Sequence, residues 1–144
     1  MTKKYLGLDL GTNSLGIAKS DILGFVHGVE NLRFDRNQYV VARKRVHQIV
    51  KETGITNIVI GYPLHLNGEK SEMSDVVERF VQDLKNEDPM LSIELFDERL
   101  SSVEANNNIS QMGYNHDKRK ANVDKIAACI ILDTFIRKKE ANNG

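Results

Sequence analysis

Several residue types are scarce in this sequence, and each scarcity restricts what the protein can be. The 144 residues include one cysteine, Cys129, and four histidines without zinc-ligand spacing. A single cysteine cannot form an intramolecular disulfide, which favours a reducing compartment. No apolar run approaches the roughly 20 residues that a membrane-spanning helix needs. We therefore expect a cytoplasmic protein that has no structural zinc and does not contact membranes.

An excess of charge of one sign is also absent. Lys and Arg together number 20, and Asp and Glu together number 20, so the formal net charge is zero. The whole molecule then has no net field that attracts nucleic acid, and any such contact must come from a local patch. The length and the hydrophobic content of 40% fit one globular domain spanning residues 1–144.

The first third of the chain predicts strands. Residues 4–10, 15–19 and 25–32 are rich in apolar and β-favouring side chains, and short turn sequences separate them. Gly7 and Gly11 allow a backbone or a ligand to approach closely. Because the turns are short, we expect a three-stranded antiparallel meander.

From residue 39 the apolar period becomes that of a helix. Residues 38–53 predict a helix that ends at Gly54, where a helix C-cap belongs. Residues 58–60 are a continuous β-branched run, typical of a strand buried on both faces. An apolar stripe over residues 73–84 predicts a second helix, with Ser71 or Ser74 as its N-cap. Residues 92–97 predict a further strand.

The last third predicts helices. Residues 103–112 form a short helix in this interpretation, and an apolar stripe over residues 123–135 predicts a long final helix. Basic residues 137–139 are expected at its end, where the helix dipole favours cations. The order β-β-β-α-β-α-β-α-α predicts an α/β fold. Its five-stranded mixed sheet would combine the three-strand antiparallel meander with two parallel strands, flanked by helices on both faces.

Three acidic positions stand out. Asp9 lies between two leucines of the first strand, where a carboxylate is costly unless a cation meets it. Asp97 and Glu98 end the last strand, at the edge where ligands of open α/β sheets gather. Asp124 lies in the first turn of the final helix. Taken singly, each has a structural explanation: a salt bridge, a solvated strand end, or a favourable helix dipole.

Together, these acids predict metal chemistry. If the first strand is central and the strand at residues 92–97 is its neighbour, carboxylates from both strands and the final helix converge on one rim. Such hard oxygen ligands suit Mg²⁺ or Mn²⁺, which can activate water and stabilise the leaving oxygen of a phosphodiester. Adjacent strand residues face opposite ways, so only one of Asp97 and Glu98 can join Asp9.

Basic side chains near these acids are candidate ligands for backbone phosphates. A basic run is often only a solvated face, but one that precedes a candidate metal ligand favours phosphate binding. The basic candidates are Arg99, Lys118, Arg119 and Lys120. The loop at residues 61–68 follows a buried strand and could line the site through Asn67. The pair Asn67-Gly68 is equally the sequence of a tight turn.

Four motifs resemble the YqgF (RuvX) family in order and spacing, along nearly the whole chain. They are LDLGTNSLGIA at residues 8–18, GYPLHLNG at 61–68, DERLSSVEA at 97–105 and VDKIAA at 123–128. The resemblance implies an RNase H-like fold related to the RuvC resolvases. It also implies a nuclease, either a Holliday junction resolvase or an enzyme that matures the 5′ end of the small-subunit ribosomal RNA precursor. Carried over, the family's acidic, metal-binding triad falls on Asp9, Glu98 and Asp124.

Two departures from the family concern local substrate contacts. His65 replaces a small polar residue, and residues 13–15 lack the Lys or Arg that the family often has there. Two other interpretations remain beside the nuclease. Residues 9–12 also resemble the first phosphate motif of the actin, chaperone and sugar-kinase ATPases, which need two lobes where this chain has room for one. A non-catalytic RNA-binding domain would gain nothing from buried carboxylates.

The width of the apolar stripes bears on whether the substrate is ribosomal RNA precursor or four-way junction DNA. Each stripe is about as wide as packing on its own sheet requires, which leaves no obvious dimer interface. Paired cuts in a four-way junction call for a two-fold dimer with a self-complementary interface. We therefore expect a monomer or weak dimer that prefers RNA to junction DNA, with the junction resolvase as the alternative.

Overall fold

The arrangement of strands and helices follows the predicted order. The computed structural model describes residues 3–100 and 122–143, so the helix predicted at residues 103–112 lies outside the described residues. The strands are β1 (Tyr5–Leu10), β2 (Ser14–Ser20), β3 (Val26–Arg33), β4 (Asn57–Tyr62) and β5 (Ser92–Asp97). The helices are α1 (Tyr39–Thr53), α2 (Glu72–Glu87) and α3 (Val123–Asn143), and a short 3₁₀ turn, Glu98–Leu100, follows β5.

The five strands form one mixed sheet in the order β3-β2-β1-β4-β5. β1, β2 and β3 pair antiparallel, whereas β4 pairs parallel with both β1 and β5. The predicted meander and the two parallel strands are thereby confirmed. The expectation that β5 is the neighbour of β1 is wrong, because β4 lies between them. The buried β-branched run of β4 suits the inner position, while β5 carries exposed side chains and takes the edge.

Alternation along the strands divides the core into two layers. On β1, Leu6, Leu8 and Leu10 pack against α1 and α2 on one face of the sheet. Tyr5 packs on the opposite face, against α3, with Val59 of β4 and with Leu132 and Phe135 of the helix. Since successive side chains alternate, Asp9 belongs to the α3 face. The helices therefore cover both faces as predicted, and α3 lies on the same side as Asp9.

Local sequence sets where α1 and α2 begin and end. Gly54 has a φ of 74° and its N–H donates to the carbonyl of Val50 at 2.8 Å, which closes α1. Ser71 is the N-cap of α2, and Ser74 returns a hydrogen bond to it in a capping box. The predicted end of α1 is confirmed, as is Ser71 among the two candidate caps.

The final helix is longer than its apolar stripe. It continues to Asn143, so Arg137, Lys138 and Lys139 lie more than a turn before its end, and the expectation that they close it is wrong. No proline or glycine interrupts the polar residues that follow the stripe, so nothing stops the helix there. Within residues 3–100 and 122–143, no helix is long and apolar enough to cross a membrane.

Candidate active site

Asp9 lies at the middle of the sheet, one residue before the end of β1. It pairs with Gly16 of β2 and is partly buried on the α3 face. β4 runs along its other side, and α3 begins above Gly16. A carboxylate at this position can meet side chains from both neighbouring strands and from the helix.

Glu98 reaches Asp9 from the far side of β4. It lies in the 3₁₀ turn that follows β5, and its carboxyl group hydrogen bonds with that of Asp9. Gly61 of β4 makes this contact possible. A Cβ atom at Gly61 would overlap Oε1 of Glu98 and lie 2.7 Å from Cδ1 of Ile131. The missing side chain is therefore a steric requirement of the Asp9–Glu98 contact.

Asp97 points to a different partner. Its Oδ1 accepts a hydrogen bond from the backbone N–H of Arg99 at 3.0 Å, and its carboxylate also accepts from Nε and Nη2 of Arg99, Nη2 at 2.7 Å. The pKa of Asp97 is lowered, chiefly by these side-chain hydrogen bonds. Of the two adjacent acids, the structure thus places Glu98 against Asp9 and Asp97 against Arg99.

Asp124 approaches the pair from the first turn of α3. The backbone of α3 touches β2 here, because a Cβ atom at Gly16 would overlap the carbonyl of Asp124. The N–H of Lys125 donates to Oδ1 of Asn31 on β3 at 2.9 Å. This hydrogen bond satisfies one of the free N–H groups at the start of the helix and fixes that start over the sheet. Asp124 is close enough for its charge to act on Asp9.

The electrostatics of the site oppose full ionisation. Burial raises the pKa of Asp9 from 3.8 to about 8, and the charge and hydrogen bond of Glu98 and the charge of Asp124 act in the same direction. Burial also raises the pKa of Glu98, and the hydrogen bond from Asp9 opposes that rise. Asp9 is therefore the proton donor in the pair. At neutral pH the two carboxyl groups therefore share one proton.

The donor set fits a hard divalent cation. Asp9 and Glu98 present carboxylate oxygens to the same space, with Asp124 nearby, and such ligands suit Mg²⁺ or Mn²⁺. A cation there would favour the ionised form of Asp9, against the burial and the neighbouring negative charges that raise its pKa. In the part of the chain that the structure describes, no three His, Cys, Asp or Glu side chains are gathered tightly enough to hold a metal ion.

The predicted substrate ligands are differently placed. The guanidinium of Arg99 is bound to Asp97, and its Nη1 donates to the carbonyl of Leu66 at 3.3 Å, which ties the β4–α2 loop to the 3₁₀ turn. Oδ1 of Asn67 accepts from the N–H of Glu69 at 2.9 Å, so this side chain stabilises its own turn. The remaining basic candidates, Lys118, Arg119 and Lys120, lie outside the described residues.

Sequence reasoning missed three residues that shape the site. Gly16 and Gly61 bring Asp124 and Glu98 towards Asp9, and Asn31 holds the start of α3. The two glycines could have been found, because glycine inside a strand pattern often marks a close approach. Nothing in the local sequence distinguishes Asn31, whose partner lies 94 residues away.

Known proteins resemble this chain along most of its length. A Geobacillus kaustophilus protein named "Putative pre-16S rRNA nuclease" is 37% identical over 137 residues, covering 94% of this chain and 99% of that protein. A Fusobacterium nucleatum protein of the same name is 36% identical over 140 residues, covering 96% and 99%. The solved "T. thermophilus RuvC in complex with Holliday junction substrate" has a TM-score of 0.66 and 11% identity, and 96% of each chain is covered.

At that identity the likeness to RuvC shows the fold alone, which is RNase H-like. The similar sequences show the family as well as the fold, because they match nearly all of this chain. The family described as "RuvX: Holliday junction resolvase" matches residues 3–138. This chain therefore belongs to the RuvX family.

Proposed function

We propose that this protein is a metal-dependent nuclease that hydrolyses phosphodiester bonds in RNA, in the maturation of the 5′ end of the 16S ribosomal RNA precursor. The observation that carries the proposal is the contact between Asp9 and Glu98 on the α3 face of an RNase H-like sheet. The names of the relatives support the choice of RNA. The proposed substrate places the protein in the cytoplasm.

In this mechanism Asp9, Glu98 and Asp124 would hold Mg²⁺ or Mn²⁺. When bound, the cation supplies Lewis acidity, which activates water and stabilises charge on the phosphodiester. The protein's own part concerns the proton shared by the Asp9 and Glu98 carboxyl groups, which would have to pass to solvent water for both carboxylates to serve as ligands. Gly61 keeps Glu98 in contact with Asp9, and Asn31 keeps Asp124 above the same rim.

The phosphate contacts are part of the proposal. Lys118, Arg119 and Lys120 precede Asp124 in sequence and would bind the backbone of the substrate. Arg99 already holds Asp97 and the carbonyl of Leu66. It would act there chiefly by fixing the turn that carries Glu98.

The alternative substrate is a four-way DNA junction. The description of the matching family supports it, since it names a Holliday junction resolvase. Symmetric resolution would need two copies of the site in a two-fold dimer. We propose a monomer or weak dimer, and with it a preference for RNA.

A cleavage assay tests the proposal. Purified protein is incubated with labelled ribosomal RNA precursor, linear RNA and a four-way DNA junction, in Mg²⁺, in Mn²⁺ and in EDTA. We expect metal-dependent cutting of the RNA precursor that Asp9→Asn abolishes. Asp75→Asn serves as the matched control, because Asp75 is an exposed carboxylate on α2, behind the sheet. Equal cutting in EDTA would exclude the mechanism, and symmetric nicking of the junction alone would favour the resolvase.

A further inference from the structure

Two arginines stand at the same end of the sheet as the carboxylates. Arg33 is the last residue of β3, and Arg36 lies in the loop that leads to α1. We propose that both bind backbone phosphates of the nucleic acid strand on which the carboxylates act. This inference rests on the proposed function and extends its substrate site to the β3 side of the sheet.

The register of the sheet locates Arg33. Asp9 pairs with Gly16, Gly16 pairs with Asn31, and Arg33 lies two residues further along β3 towards the open rim. With strands about 4.8 Å apart and about 3.3 Å per residue, the Cα atoms of Asp9 and Arg33 are about 12 Å apart. An extended arginine side chain spans much of that distance.

The side chain of Arg33 belongs to the α3 face. Leu32 packs into the core beneath α1 and α2, whereas Asn31 bonds to the start of α3. Alternation therefore puts Arg33 on the side of Asn31 and Asp9. The N-terminus of α3 lies above Asn31, so the helix does not extend over Arg33, and the Arg33 side chain is exposed to solvent.

Backbone hydrogen bonds bring Arg36 to the same rim. The N–H of Phe34 donates to the carbonyl of Asn13 at 3.0 Å, and the N–H of Asn37 donates to that of Thr12 at 2.8 Å. Asn37 has a φ of 65°, a left-handed conformation that asparagine tolerates. The loop bearing Arg36 is thus fastened to the β1–β2 turn, which directly follows Asp9 and Leu10.

The charges of both arginines are available to a ligand. Within residues 3–100 and 122–143, neither Arg33 nor Arg36 has an ion-pair or hydrogen-bond partner, and both are exposed. By contrast, Arg43, Arg45 and Arg99 are bound to carboxylates. Asp35 lies between the two arginines in sequence and is exposed, so this loop keeps one net positive charge.

This placement suits an anionic polymer. A strand whose phosphate approaches three carboxylates is repelled by them, and positive charge beside its path lowers that repulsion. Guanidinium groups can bind phosphate through two parallel hydrogen bonds. Since the whole chain has no net charge, such attraction has to come from a local patch of this kind.

The test measures binding without cleavage. Affinity for a short labelled single-stranded RNA is measured in EDTA over a series of KCl concentrations, for the full chain and for Arg33→Ala, Arg36→Ala and the double variant. The control is the double variant Lys44→Ala, Lys51→Ala, which removes the same charge from exposed positions on α1, behind the sheet. Urea unfolding checks that every variant is folded.

The slope of log K against log salt is negative, and each lost phosphate contact should reduce its magnitude by about 0.7, so the double variant of Arg33 and Arg36 should lose about 1.4. The lysine control should keep the slope of the unaltered chain. If the arginine and lysine double variants show the same slope, the two arginines contact no phosphate and the proposal is wrong. Absence of RNA binding by the unaltered chain would contradict the proposed function as well.

Discussion

Replacing Asp9 with Asn should stabilise the metal-free protein and abolish its cleavage activity. The substitution keeps the size of the side chain, and the amide can donate a hydrogen bond to Glu98 as the protonated carboxyl does. It removes the negative charge that Asp9 acquires as the pH rises towards 8, which would then repel Glu98 and Asp124. A residue that is present only for structure would show the opposite result, a loss of stability with normal activity in the folded fraction.

The magnitude follows from the pKa of Asp9, which rises from 3.8 in the unfolded chain to about 8 in the folded protein. The folded state therefore holds this proton more tightly than the unfolded state. Stability from this group is fully present below pH 4 and is lost as the pH rises towards 8. Since each pH unit in this window is worth about 1.4 kcal/mol, the metal-free protein should lose about 2 kcal/mol between pH 6 and pH 8.

Urea unfolding in EDTA, followed by circular dichroism at both pH values, measures this loss. The free energy of unfolding of Asp9→Asn minus that of the unaltered protein should grow by about 2 kcal/mol from pH 6 to pH 8. The Asp75→Asn control should show no such growth. A difference that is the same at both pH values would refute the electrostatic reasoning, and metal-dependent cleavage by folded Asp9→Asn would refute the role in catalysis.

Four further predictions test other parts of the site. Asp97→Asn should lower kcat about 10-fold, as substitutions of residues that orient metal ligands do. Glu98→Gln should lower kcat by far more, and the reverse order in steady-state kinetics would exchange the roles of the two acids. Gly61→Ala should displace Glu98 and cost about 1–3 kcal/mol in urea unfolding, together with activity; an active, equally stable variant would show that Glu98 does not depend on this space. Neutralising residues 118–120 together should flatten the salt dependence of RNA binding by about 0.7 per contact, and an unchanged slope would make them a solvated face. Sedimentation at low micromolar concentration should show a monomer or weak dimer, whereas a tight dimer would favour the junction substrate.

One exposed apolar surface bears on the predicted oligomeric state, and the periodicity of the sequence did not reveal it. Ile22, Leu23 and Phe25 are 53%, 72% and 64% exposed on the β2–β3 turn, outside any helical stripe. Stripe widths describe helices and strands, and they do not register apolar residues in a turn. This turn lies at the end of the sheet opposite Asp9. Sedimentation of a variant with polar residues in the turn therefore shows whether these apolar side chains, rather than the site, cause any dimer formation.

Much of the fold could be predicted from local sequence because its causes are local. The β-branched run of β4, the serine cap of α2 and Gly54 after α1 each act within a few residues. The position of β5 could not be predicted in this way. Whether a parallel strand pairs with β1 or with β4 depends on which side-chain surfaces match across the sheet, and a linear pattern does not record that.

The choice between Asp97 and Glu98 shows the same limit within the site. Strand alternation states only that the two acids diverge, and the resemblance to the family supplied the choice. The structure adds a physical reason for the divergence. The chain leaves the strand at Asp97, whose carboxylate accepts the backbone N–H and the guanidinium of Arg99, and the resulting 3₁₀ turn carries Glu98 back over the sheet.

What brings the carboxylates together is largely the absence of side chains beneath α3. Gly7 of β1 leaves room for Leu132, Gly16 of β2 for the backbone of Asp124, and Gly61 of β4 for Glu98 and Ile131. A methyl group at any of these positions would push the helix or the acid away from the sheet. Hydrophobic periodicity counts such glycines as weak points of a strand, although here they set how closely α3 and the 3₁₀ turn approach Asp9. The carboxylates and the strand glycines are thus both visible in the sequence, while the group for which each glycine leaves room is evident only in the packed sheet.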